Sequence, residues 1–299
     1  MNDKILITGA SGWLGKAAIY MLHNELKLKK EDFVLFSSIN KQINVRGNIY
    51  NSYGFLDSKL DSFENFKIGG IIHLAFLTRD KVNKVGFENY VSTNRRITEK
   101  IEEFIDFFEP NWVTTVSSGA ANLNSEDIEK NPYGFLKIKE EEKIFQLSQK
   151  YKLNYSIGRL WGAMGNDMPI NRNYAISDFI CQAIIDKRIK VTADKLVFRR
   201  YVADTEFMET CIKSAISGYN DVFDSGGEKI EVRELASKVA NIFGLSEVIS
   251  STPKEDSDNY YPVNEQYADL RARMKLPKPE GLNTLLERTI EGHKSQQLR

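Results

Sequence analysis

Three glycines at a spacing of three, Gly9, Gly12 and Gly15, follow the apolar run Ile5-Leu6-Ile7-Thr8 and lead into residues patterned as a helix. Leu14, Ala18, Met21 and Leu22 recur at the i, i+4, i+7, i+8 spacing of a helix that packs one face on a sheet. A strand, a glycine turn and a helix in that order form a cradle for a pyrophosphate. The turn must bring backbone close to an anion with no Cβ in the way, and the helix N-terminus must offer N–H groups and its positive dipole. The candidate contacts are Thr8, Gly9, Ser11, Gly12, Trp13, Leu14 and Gly15. This context turns a weak glycine pattern into a specific expectation of dinucleotide binding.

The 299 residues, 41% of them hydrophobic, suffice for a large α/β domain or two lobes without a covalent staple. Lysine plus arginine equals aspartate plus glutamate at 41 each, so no global field draws the chain to nucleic acid or to a membrane surface. Cys181 and Cys211 with His23, His73 and His293 make no cluster at metal-ligand spacing, so no metal is expected. The first strand begins by Lys4, with neither the basic segment and apolar core of a signal peptide nor any run of membrane-spanning length. A soluble cytoplasmic protein with reduced thiols is the expectation.

Apolar runs at Lys4 to Thr8, Phe33 to Phe36, Ile71 to Ala75, Trp112 to Val116 and Tyr155 to Arg159 alternate with helical patterns at 12–25, 87–108 and 133–150. That alternation predicts a doubly wound α/β fold on a parallel sheet, with right-handed crossovers. The dinucleotide-binding domain is placed at 1–164. A smaller C-terminal substrate-binding lobe is placed at 165–299, with strands near 189–191 and 221–224 returning to the core. The polar tail from Lys294 is expected to be disordered.

Tyr133 and Lys137 stand four apart at the start of a predicted helix, so they share a face. An ammonium near a phenol favours the phenolate, which suits tyrosine to moving protons near neutral pH. Ser118 ends the strand that begins at Trp112, at the carboxyl edge where ligands of such sheets bind. These residues, with Thr8 to Gly15, Asp57, His73-Leu74-Ala75, Asn94, Arg159, Arg199 to Asp204 and Phe223 to Ile230, resemble the extended short-chain dehydrogenase/reductases. The resemblance is to the NAD-dependent epimerase/dehydratase group of nucleotide-sugar enzymes and covers nearly the whole chain.

The resemblance implies a Rossmann fold, Tyr133 as general acid/base, Lys137 on the nicotinamide ribose, Ser118 on the substrate oxygen and Asp57 at the adenine. It extends the cofactor set to Leu74, Ala75, Asn94 and Arg159, and implies a homodimer built as a four-helix bundle from the helices at 87–108 and 133–150. Ile97, Ile101, Ile105 and Phe108 suit either that bundle or the core. Asn94 braces its helix or touches a reactant, Asp57 caps an element or meets the adenine, and His73 reads as a core residue. The charged run from Lys137 to Lys143 reads as a solvated face on which Lys137 alone is singled out.

Several positions depart from the family pattern. Ser37 and Ser38 stand where NAD-preferring members carry an acid for the ribose 2′-hydroxyl, and Lys41 follows, which favours NADP over NAD. Gly119 and Ala120 replace the Asp-Glu that family dehydratases carry after the active-site hydroxyl, which disfavours dehydration. Gly162 stands where an Asn commonly helps bind the substrate diphosphate, leaving Arg199 or Arg200 as the candidate clamp, or as one half of a surface ion pair. The leading expectation is reduction of a keto group, at C4, on a nucleotide-activated sugar. A 4-epimerase uses the same residues, and a cofactor-binding scaffold without catalysis is the remaining alternative.

Overall fold

The computed structural model describes residues 3–123, 126–170, 173–263 and 266–297. In chain order they form β1 (Lys4–Thr8), α1 (Trp13–Asn24), β2 (Phe33–Ser37), β3 (Lys41–Val45), β4 (Asn48–Gly54), β5 (Ile68–His73), α2 (Val82–Val85), α3 (Phe87–Phe108), β6 (Trp112–Ser118), α4 (Pro132–Tyr151) and β7 (Asn154–Leu160). There follow β8 (Ala163–Met164), α5 (Ala175–Ile185), β9 (Ile189–Val191), β10 (Lys195–Ala203), α6 (Asp204–Ile216), β11 (Asp221–Asp224), β12 (Glu228–Glu231), α7 (Val232–Ile242), β13 (Val248–Ser250), β14 (Lys254–Tyr260), α8 (Gln266–Arg273) and α9 (Leu282–Gln297). The polar tail stays helical to Gln297, against the expectation of disorder from Lys294.

Two compact units result, Met1–Leu160 with Phe207–Phe223, and Trp161–Glu206 with Asp224–Arg299. The first holds an eight-stranded sheet of order β11-β7-β6-β5-β1-β2-β4-β3. β2, β1, β5, β6 and β7 run parallel, and β4 runs parallel to β2. The strand order reverses at β1, so the carboxyl ends of β1 and β5 flank the switch point where such sheets take ligands.

One hairpin was not anticipated. β3 is antiparallel to β4 across the turn Arg46-Gly47, both at positive φ, the geometry that two-residue hairpins favour. The strand expected to return to the core at 189–191 instead pairs with β13 in a two-stranded sheet, while Asp221–Asp224 lies at the edge of the large sheet.

Ile97, Ile101, Phe104 and Ile105 of α3 are buried with Phe36, Phe55 and Phe63 in the sheet's core, and Phe108 packs against them. Their helical spacing therefore serves the monomer core and is not an open dimer stripe. Replacing Phe104 by alanine there would cost about 3–5 kcal/mol. Across α3 and α4, Lys143 instead bonds Glu102 at 2.9 Å and Lys150 faces Asp106 at 3.5 Å. In the second unit β10 is flanked by antiparallel β12 and parallel β14. Both cysteines are buried and unbridged, and no described helix is long and apolar enough to cross a membrane.

Candidate active site

Gly9 takes φ +65, and a Cβ on it would lie 2.6 Å from the carbonyl carbon and oxygen of Leu74. A Cβ on Gly15 would meet the Gly9 oxygen at 2.4 Å, so both glycines are required for the turn to close against β5 and α1. Gly12 differs: its Cβ would touch only the Gly9 oxygen, at 3.2 Å, and Gly12 is exposed at the N-cap of α1. No side chain caps α1 and its first turn carries no acid, so the positive end of its dipole is uncompensated. Ser11, Trp13 and Leu14 lie half-buried around it. The turn thus fits the pyrophosphate of a dinucleotide.

Thr8 ties this turn to β5, its hydroxyl accepting the N–H groups of Leu74 at 3.0 Å and Ala75 at 3.1 Å. Those two amides are thereby engaged within the protein. Asn94, fully buried, accepts from Leu77 N–H at 2.8 Å and braces the segment after β5. Asp57 is exposed just beyond the carboxyl end of β4. At the end of β2, Ser37 is buried with its hydroxyl lacking a partner, while Ser38 and Lys41 are exposed.

Ser118 closes β6, and its hydroxyl accepts from Ala120 N–H at 3.2 Å, starting a tight turn over Gly119–Asn122. Asn131 fastens that turn to α4. Its amide donates to the carbonyls of Ala120 and Leu123 at 3.0 and 2.6 Å, and its oxygen caps α4 by accepting from Gly134 N–H at 2.9 Å. A Cβ on Gly134 would lie 2.4 Å from the Ala120 oxygen, so glycine there permits the approach. Asn131 thus draws Ser118's turn against the first turn of α4, where Tyr133 sits half-buried with its ring edge-on to Phe76 at 5.8 Å. Asn124 and Ser125, within the same stretch, lie outside the described residues.

One turn along α4, Lys137 is buried with its Nζ 3.8 Å from the Phe76 ring centroid. It donates to Glu140 at 2.7 Å and to the Val116 carbonyl at 2.9 Å. The charged run is therefore not wholly a solvated face, since Glu140 and Glu141 are both buried. Burial alone would raise the Glu140 carboxyl, but the charge of Lys137 and contact with His73 outweigh it and bring it down to about 2. Arg159, expected at the cofactor, holds both Glu141 oxygens at 3.0 and 2.6 Å and the Asn122 side chain at 2.6 Å. Its fork ties β7 to α4 and to the turn after Ser118.

Asn131, Glu140 and Glu141 escaped the sequence reading. A signal for Glu140 exists, because Tyr133, Lys137, Glu140, Ile144 and Leu147 form one helical stripe whose last two members are apolar. In the second unit, Arg199 makes a two-pronged bond to Asp258 at 3.2 and 3.0 Å. Arg200 lies 5.9 Å from the Tyr261 ring centroid and its buried Nε has no hydrogen-bond partner among the described residues.

Residues 5–212 match the family model described as the NAD dependent epimerase/dehydratase family. Comparison with curated proteins finds no match. Among solved structures, a UDP-N-acetylglucosamine 4-epimerase from Methanobrevibacter ruminantium M1, in complex with UDP-N-acetylmuramic acid, superposes with a TM-score of 0.78 at 18% identity, over 99% of this chain and 100% of that one. MoeE5 in complex with UDP-glucose and NAD gives 0.76 at 18% identity, over 98% and 99% of the two chains. A UDP-glucose 4-epimerase from Thermotoga maritima gives 0.75 at 17% identity, over 98% and 99%. At such identities these likenesses establish the fold, and the family match over most of the chain establishes descent. With its glycine cradle at the switch point of a doubly wound sheet, the chain belongs to the NAD-dependent epimerase/dehydratase family of extended short-chain dehydrogenase/reductases.

Proposed function

We propose that this protein is a nicotinamide-dinucleotide-dependent oxidoreductase that reduces a keto group, at C4, of a nucleotide-activated sugar. The observation that carries this reading is the joining of Ser118, at the carboxyl end of β6, to the Tyr133 and Lys137 face of α4 through Asn131. When bound, the dinucleotide supplies hydride exchange. Its pyrophosphate is assigned to Gly9 to Gly15 and the start of α1, and its adenosine to Ser37, Ser38 and Asp57.

In this reading Tyr133 donates the proton to the carbonyl oxygen being reduced, and the Ser118 hydroxyl holds that oxygen. Both stabilise charge that builds there. Lys137 favours the phenolate left on Tyr133 and retains donor capacity for the nicotinamide ribose, because an ammonium has three protons and two are engaged by Glu140 and Val116. Arg200 is the preferred clamp for the substrate diphosphate, since Arg199 already holds Asp258. The absence of an acid among Ser37, Ser38, Ile39 and Asn40, with exposed Lys41 beyond, supports NADP.

A second reading, a 4-epimerase with a resident cofactor, is favoured by the two structural neighbours that are 4-epimerases. The deciding experiment releases bound dinucleotide from the purified, denatured protein and identifies it by mass spectrometry. Near-stoichiometric NAD supports the epimerase, whereas empty protein that binds NADPH more tightly than NADH supports the reductase. The reading includes a homodimer through the outward faces of α3 and α4, and a monomer in light scattering overturns that part.

A further inference from the structure

Polar contacts run through the protein interior from the glycine turn to Lys137. Thr8 accepts two amide N–H groups, from Leu74 and Ala75, which occupies both lone pairs of its hydroxyl. Its own proton is therefore directed to His73 Nδ1, 2.8 Å away. Nδ1 is then the accepting nitrogen and the ring proton resides on Nε2. That nitrogen faces Glu140 Oε1 at 3.3 Å, longer than a well-formed hydrogen bond, and has no other partner among the described residues. The Thr115 hydroxyl also reaches Glu140 Oε1, at 3.0 Å, while Oε2 takes the Lys137 bond. Thr8, His73, Glu140 and Lys137 are all buried.

We propose that Glu140 is the positioning residue of Lys137: its carboxylate holds the ammonium aimed beside Tyr133, and His73 and Thr8 join that lysine to the dinucleotide loop. The proposal rests on the reading of Lys137 given above. Glu140 is the one carboxylate bonded to Lys137 among the described residues. Around the pair, β5 contributes His73, β6 contributes the Thr115 hydroxyl and Val116 carbonyl, and Phe76 covers Nζ. On α4 itself, Tyr133 shares the face, and the neighbouring Glu141 is held by Arg159. With glutamine at 140 the buried ammonium would have no counter-charge and would lose the ion pair that fixes its direction.

The test is equilibrium binding of NAD and NADP to the whole chain by calorimetry, for wild type, Glu140→Gln and Glu140→Asp. Glu140→Gln is expected to weaken the tighter dinucleotide about tenfold at neutral pH, the loss of a bond to a charged group. Glu140→Asp, which keeps a carboxylate facing the ammonium, should recover most of that affinity. Binding by Glu140→Gln within twofold of wild type overturns the proposal. So does an equal loss in both variants.

Should Glu140→Gln fail to fold, Thr115→Val, which removes a neutral donor to the same carboxylate, replaces it, with a two- to threefold loss expected and no loss overturning. Wild-type protein that binds neither dinucleotide overturns the functional reading and this proposal with it. Binding by wild type with an unaltered Glu140→Gln overturns the proposal alone.

Discussion

At the Gly9–Gly15 turn the protein works by leaving side chains out, whereas at the start of α4 it brings buried charged side chains together. In the first region the deciding quantity is space: a single Cβ would stand 2.4–2.6 Å from backbone at Gly9 or Gly15. In the second it is charge, with Lys137 and Glu140 paired at 2.7 Å and His73 beside them, all three buried. The backbone cradle has no ionisable side chain of its own and holds its shape across pH. The charged cluster can be set and disturbed by protons. On the proposed reading, one site combines a steric half for holding the dinucleotide and an electrostatic half for proton chemistry.

The largest effect should fall on the electrostatic half. Tyr133→Phe is expected to lower turnover by about 10²–10⁴-fold while dinucleotide affinity stays near wild type. Retention of turnover within a few-fold, measured on a keto-sugar nucleotide, would sink the proton-transfer role and with it the contrast.

Next comes the steric half. Gly9→Ala is expected to cost roughly 2–4 kcal/mol of folding stability, combining a left-handed backbone with a clash against Leu74. Gly12→Ala, with open space but for the Gly9 oxygen, should leave urea stability within about 1 kcal/mol and weaken dinucleotide binding instead. Equal losses of stability at both positions would erase the distinction between packing glycine and ligand-facing glycine.

The third is a pH effect confined to the charged half. Because the Glu140 carboxyl is lowered in the folded chain from 4.5 to about 2, its contribution to stability is fully present above about 4.5 and is lost as pH falls toward 2. Urea midpoints between neutral pH and about pH 3 should fall further for wild type than for Glu140→Gln. Gly12→Ala should follow wild type. Parallel curves for all three would show that the buried pair adds no pH sensitivity.

The smallest expected effect is at the exposed end of β2. Ser38→Asp should shift preference from NADPH toward NADH by roughly fivefold, about the 1 kcal/mol of one repulsion between solvated charges. An unchanged ratio would remove Ser38 from the dinucleotide contact.

Much of this was legible in the sequence because it is local. The glycine turn, the helical register of Tyr133 with Lys137 and the alternation of apolar strands each lie within a few turns of chain, where spacing alone fixes which side chains share a face. The hairpin of β3 and β4 was obscured because most of its residues are polar, although Ile43, Val45, Tyr50 and Ser52 alternate as its buried positions. The three residues of β9 carry no pattern from which to choose between the large sheet and β13. The apolar stripe of α3 was evident, but its destination in the core was not.

The sequence by itself therefore determined the doubly wound fold and its glycine turn, and it put forward Ser118, Tyr133 and Lys137 as candidates. Only the tertiary structure decided that Arg159 grips Glu141, that Asn131 joins the Ser118 turn to α4, and that Glu140 faces His73 from 67 positions along the chain. The physical reason is that a charge in a polar run looks solvated until the fold shows what covers it. Burial and pairing depend on segments far apart in sequence, and it is burial that turns an ordinary surface carboxylate into a strong local field.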